Sequence, residues 1–209
     1  MHTPSVFAAN ITRATITKDY LPKALASART VSLPSDSKII DYALVLRPDK
    51  DEIVTDERMG PFLDLLDHLS FNQSNSSELQ GTPSGVFIET KSAFGKENEA
   101  KTQLGIWLAS WFDRVTKFPC DSDPNNDIDP NDVLPPPVIP LIIIEGRMWE
   151  LWFAFSLDSS YCVYGPIELG NTYLLLGLYQ ILAVLRVLVE WMATDFRDWV
   201  DQCLKNAGV

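Results

Sequence analysis

The sequence predicts an α/β fold, with a central mixed β-sheet flanked by helices and a long helix at the C-terminus. Three observations carry it. Strand-like apolar runs occur at Gly85-Val86-Phe87-Ile88, at residues 138–145 and at residues 148–157. Leu104, Trp107, Leu108, Trp111 and Val115 recur at helical steps. Leu174, Leu178, Ile181, Leu185, Leu188, Met192, Phe196, Trp199 and Cys203 sustain a three-four spacing over some eight turns. With 209 residues and 46% hydrophobic content, the chain can bury one sizeable core, and nothing in it divides residues 1–209 into two domains.

In chain order, residues 5–35 are rich in Thr, Ser and Pro and read as a partly extended lead-in with one strand. Residues 38–46 form a strand that stops at the turn cluster Pro48-Asp49-Lys50-Asp51. Phe62, Leu63, Leu65, Leu66 and Leu69 place a short amphipathic helix at 59–69, begun by Pro61. The polar stretch 72–84 is a loop leading to the strand 85–91, and a helix follows over 96–116. Residues 119–137 read as an exposed acidic and proline-rich loop. Its Asp121, Asp123, Asp127 and Asp129 lack the glycine and closing glutamate of a calcium-binding EF-hand loop. Pro135-Pro136-Pro137 stiffens the approach to strand 138–145, whose isoleucine run suits burial on both faces. Strands 148–157 and 161–164 complete a meander, with Trp149, Trp152 and Phe153 as core and sheet-face residues. Gly170-Asn171-Thr172 starts the last helix. Gln180, Arg186 and Glu190 oppose a membrane span there, because charge at mid-depth is costly in lipid. The expectation is a buried helix on the sheet, with Arg186 and Glu190 as an i,i+4 pair.

The chemistry concentrates in two places. Ile39, Asp41, Ala43 and Val45 share one strand face, so Asp41 is a single charge in an apolar row and needs a cation, a metal or a hydrogen-bond network. Glu89 and Lys91 share a face of the next strand, in Glu89-Thr90-Lys91. Two carboxylates meeting at one point suit magnesium, which uses one or two carboxylates with waters and substrate phosphate oxygens. Such an ion would acidify a bound water and neutralise charge on the phosphate, with Lys91 orienting the nucleophile or stabilising the transition state. Gln103 lies about 40° from Trp107 around its helix and points toward the core. It would bond either a strand carbonyl or a substrate phosphate.

Lys38-Ile39-Ile40-Asp41-Tyr42, Ile88-Glu89-Thr90-Lys91, Gln103-Leu104-Gly105-Ile106-Trp107-Leu108, the run from Pro140 to Gly146, Trp149-Glu150-Leu151-Trp152-Phe153 and Glu190-Trp191 occur in this order. Together they resemble the PD-(D/E)xK nuclease-like superfamily, in particular a group found in filamentous fungi, over residues 10–199. The resemblance implies a restriction-endonuclease-like core. It implies Asp41 and Glu89 as metal-binding acids for Mg²⁺ or Mn²⁺, Lys91 as the catalytic lysine and Gln103 as the helix glutamine beside them. The chain departs from the pattern at one point. The helix that commonly brings a further acid ahead of the Asp strand is absent, and Asp19, the only acid in the first thirty residues, sits at a segment end before Pro22.

Other chemistries lack material. Two histidines supply neither a Ser-His-Asp constellation nor a histidine zinc site, and no glycine-rich phosphate loop occurs. Three scattered cysteines and an N-terminus without a signal pattern fit a reducing compartment, cytoplasm or nucleus. A net charge of −11 weakens any grip on phosphate backbones, leaving Lys91, Lys96, Lys101 and Arg114 as a local basic patch. Two functions emerge. One is a divalent-metal phosphodiester hydrolase acting on nucleic acid. The alternative is a repurposed scaffold that binds or transforms an apolar small molecule or serves as an interaction module.

Overall fold

The computed structural model describes residues 6–22, 40–47, 53–92, 97–119, 136–157 and 160–209. Six strands form one sheet in chain order: β1 (Val6–Asn10), β2 (Tyr42–Leu46), β3 (Ser84–Lys91), β4 (Ile139–Glu145), β5 (Met148–Leu157) and β6 (Ser160–Asn171). Neighbours run antiparallel except β3 and β4, which are parallel. A parallel pair needs a crossover, and α2 (Glu97–Val115) supplies it. Helix α1 (Ile53–Asp64) joins β2 to β3. After β6 the chain runs through α3 (Leu175–Trp191), a π-helical turn (Met192–Phe196) and α4 (Arg197–Asn206). The mixed sheet with flanking helices and a long C-terminal helix is the fold expected from the sequence.

The predicted stripe on α2 is the buried one. Leu104, Trp107, Leu108, Trp111 and Val115 are all buried, and Trp107 and Trp111 stand edge-on to Phe87 of β3, at 6.2 and 6.3 Å between ring centroids. Burying each of these indoles removes some 150–250 Å² from water, a gain on the order of 4 kcal/mol before entropy. Trp111 also meets Trp199 of α4 at 5.8 Å, so α2 and the C-terminal segment share one aromatic core. Gly85 makes this closure possible. A Cβ there would run into the Met192 sulfur and the Phe196 ring, so only a bare backbone lets the π-helical turn lie on β3.

Five expectations are corrected. The first helix begins at Ile53 and carries Pro61 in its interior, leaving Leu65 and Leu69 exposed beyond its end. The last strand is 12 residues long and not a short piece at 161–164. The C-terminal helix starts at Leu175, after Asn171 Oδ1 accepts the Tyr173 and Leu174 backbone amides at 3.1 and 3.2 Å. Nor is α3 a buried helix: it buries Gly177, Ile181 and Leu188 and turns most of its leucines outward. No ion pair joins Arg186 to Glu190. Apolar side chains surround α3, so three-four spacing alone did not identify the face that meets the sheet. Trp152 is buried, with Trp149 and Phe153 packed against the core, as expected. Of strand 38–46, Lys38 and Ile39 lie outside the described residues, as do residues 120–135 of the acidic loop.

Candidate active site

The end of β3 holds the chemistry. Glu89 is fully buried, and Lys91, the last residue of the strand, follows it on the same face. Lys91 Nζ lies 2.8 Å from Glu89 Oε1. The same ammonium reaches across to α2, where it meets Glu99 Oε1 at 2.8 Å and donates to Gln103 Oε1 at 2.5 Å. One lysine therefore ties two carboxylates and an amide into a single cluster. Burial by itself would lower the Lys91 pKa; its hydrogen bonds to Glu89 and Glu99 outweigh that, and the pKa is raised. Lys91 is an ammonium at neutral pH and no candidate for a neutral base.

Asp41 sits immediately before β2 and is 3% exposed. Its backbone N–H donates to the Ile88 carbonyl at 3.2 Å, which continues the β2–β3 ladder and places Asp41 beside Glu89. Its Oδ2 accepts the Thr90 amide at 2.9 Å and the Thr90 hydroxyl at 2.5 Å. Asp41 thus caps the last part of β3, with Thr90, the middle residue of the triplet, holding it there. On the other side of β3, Glu145 of β4 is the register partner of Lys91, and Ile143 that of Glu89.

All four sequence-predicted residues therefore lie at one end of β3. Glu89, Lys91 and Gln103 are in one contact network, and Asp41 is joined to the triplet through Thr90. Glu99 is the member the sequence reading missed. Its signal is the four-residue step to Gln103, which puts both on one face of α2. That step is common in helices, and it gains meaning only once Lys91 is seen to reach across. Asp19, by contrast, is not a site acid: in the 3-10 turn Lys18–Tyr20 its Oδ2 meets His68 Nε2 at 2.8 Å. No α-helix precedes Asp41 among the described residues.

The predicted basic patch does not form. Lys91 is enclosed by acids, and Lys101 Nζ stands 4.4 Å over the Trp152 ring. Arg114 is buried, donating to the Tyr20 hydroxyl and to the His68 and Ser70 carbonyls as an internal staple. Lys96 lies outside the described residues.

Among the described residues no three His, Cys, Asp or Glu side chains come together as a metal cage. The donor set is nevertheless one of hard oxygens. Asp41, Glu89 and Glu99 carry three formal negative charges against the one positive charge of Lys91, a balance of minus two. Carboxylate oxygens are the ligand type that hard divalent cations take.

The model of the PD-(D/E)XK nuclease superfamily matches residues 2–197, nearly the whole chain. The chain belongs to the PD-(D/E)XK nuclease superfamily. No curated protein and no solved structure matches it. The mixed sheet with its flanking helices agrees with that family, and nucleases of the superfamily generally use divalent metals. Glu99 and Gln103 reach the lysine from α2.

An apolar pocket of about 170 Å³ lies between α2 and the sheet, and none of Asp41, Glu89, Lys91, Glu99 and Gln103 lines it. Leu104 and Gly105 of α2, Leu141 and Ile143 of β4, and Trp152 wall it, with Lys101 at its rim. A larger groove of about 630 Å³ lies elsewhere, between Arg13, Lys18 and Glu78, and none of the cluster residues lines it.

Proposed function

We propose that the chain is a divalent-metal-dependent phosphodiester hydrolase acting on nucleic acid. The observation that carries this reading is the convergence of Glu89, Glu99 and Gln103 on the single Lys91 ammonium at the end of β3, with Asp41 held beside them. Asp41 and Glu89 would hold Mg²⁺ or Mn²⁺, which when bound supplies positive charge against the phosphate and a more acidic water. Lys91 stays protonated and stabilises charge on the phosphoryl oxygens. Gln103 and Glu99 fix the direction of its N–H bonds, since an unrestrained lysine side chain would spread over many rotamers. The acidic surroundings repel phosphate until a cation offsets them, so binding without metal is weak.

The test is cleavage of single- and double-stranded DNA and RNA with Mg²⁺ or Mn²⁺, comparing wild type with Glu89→Gln and Lys91→Ala. Metal-dependent cleavage that both variants lose is the expected result. No cleavage of any form by the wild type would reject the reading.

The apolar pocket favours the second reading, a scaffold turned to an apolar small molecule. A cavity of 170 Å³ is in the range that accepts a single ring, as dry cavities of about 150 Å³ do. Manganese titration followed by thermal shift separates the two, because a cation-binding site stabilises the fold as metal is added.

A further inference from the structure

We infer that the outward face of α3 is the contact surface for a second copy of this chain, forming a two-fold dimer packed helix on helix. The helix is seated on β6 by its buried side, Gly177, Ile181 and Leu188. At 100° per residue, Leu175, Tyr179 and Leu182 fall on the opposite side. They are 68%, 62% and 51% exposed, and Leu176 and Val187 beside them are 69% and 62% exposed. Tyr173 and Leu174 extend the surface before the first turn. Charged residues belong on such a face in a monomer.

The area is the first argument for a second copy. The exposed parts of these side chains, with Leu178, amount to on the order of 800 Å², beyond the usual patch on a monomer and close to what each partner gives to a standard stable interface. The i, i+4 row Leu175, Tyr179, Ala183 and Val187 is apolar throughout, the ridge that packs into the groove of a like helix. The second argument is charge. Arg186 and Glu190 stand at the far end of the same face with opposite signs, so the polar rim there carries no net charge to repel a second copy. A bilayer surface calls instead for a basic rim, and the chain carries a net −11.

Helix Leu175–Asn206 is long and apolar enough by length and composition to cross a membrane, but its seat argues otherwise. A Cβ on Gly177 would collide with the Asn171 backbone, so the first turn is locked against the end of β6 and presents one fixed face. The outer edge of β6 cannot serve as the main contact, because Pro166 near its middle has no N–H to offer a partner strand.

Sedimentation velocity on the full chain at tens of micromolar tests this. The wild type should run as a dimer of about 47 kDa, twice 23.5 kDa. Leu175→Glu combined with Leu182→Glu should run as a monomer with an unchanged far-ultraviolet circular dichroism spectrum. Should that variant fail to fold, Leu175→Gln combined with Leu182→Gln removes the same contacts without charge. Tyr179→Cys should give an oxidised dimer band above the level that the native cysteines give in wild type. A monomeric wild type, a dimer that survives the folded variants, or no added band from Tyr179→Cys would overturn the proposal. Flotation of a monomeric wild type with phosphatidylcholine–phosphatidylserine vesicles would assign the face to lipid and overturn it equally.

Discussion

Lys91 Nζ and Gln103 Oε1 stand 2.5 Å apart, joining the end of β3 to the second turn of α2. A glutamine offers this ammonium a neutral acceptor, so it directs the lysine without adding to the negative charge around it. Gln103→Ala frees one direction of the ammonium while Glu89 and Glu99 keep it protonated. Metal-dependent cleavage should fall by about 10- to 100-fold with the metal requirement unchanged. Steady-state kinetics with and without Mn²⁺ check this.

Glu89 is sealed from solvent and its carboxylate is paired with Lys91. Removing one partner of such a pair costs more than removing both. Lys91→Met should destabilise the fold by about 3–5 kcal/mol, and adding Glu89→Gln should recover much of that loss. Urea unfolding of the two single variants and the double variant provides the cycle.

The Lys91 pKa lies above its ordinary value of about 10.5. A group raised on folding contributes stability that is complete below the unfolded pKa and lost as pH rises through the folded one. The stability difference between wild type and the Lys91→Met, Glu89→Gln double variant should therefore be flat from neutral pH to about pH 10 and shrink above it. Thermal melts across that range measure it. A difference that already shrank between pH 6 and 8 would contradict the ion cluster.

Thr90 holds Asp41 by amide and hydroxyl alike. Thr90→Val keeps the shape and the amide but deletes the hydroxyl bond to a charged group, which should cost about 1.5–3 kcal/mol in urea unfolding. The same variant should weaken Mn²⁺ stabilisation, because Asp41 is then less firmly placed.

Much of this was legible in the sequence. The runs at 85–91, 138–145 and 148–157 became β3, β4 and β5 within a residue or so, because continuous apolar strands bounded by Gly, Pro and polar turns admit few other readings. The stripe on α2 was equally clear, and it placed Gln103 at the margin of the core, where it now meets Lys91. Three features were not legible. Pro61 looked like a helix start because proline is favoured at the first turn, yet here it lies within a helix begun at Ile53. Glu99 carried no signal of its own, since its role depends on how far a lysine on another element extends. The exposed side of α3 was hidden by the abundance of leucine, for a helix apolar on every side looks the same in sequence whether it lies inside the fold or on its rim.

Lys91 finds Gln103 only 12 positions along the chain, whereas Asp41 reaches Thr90 across 49. Closing a short loop forfeits less chain entropy than closing a long one, and contacts between distant positions form more slowly. The hairpin-like unit of β3 and α2 can thus bring its ammonium, amide and two glutamates together as a local event, while Asp41 joins only after β2 has docked. Asp41 therefore keeps its place in the centre only while β2 is paired with β3, whereas Lys91 and Gln103 are joined by the short connection from β3 to α2.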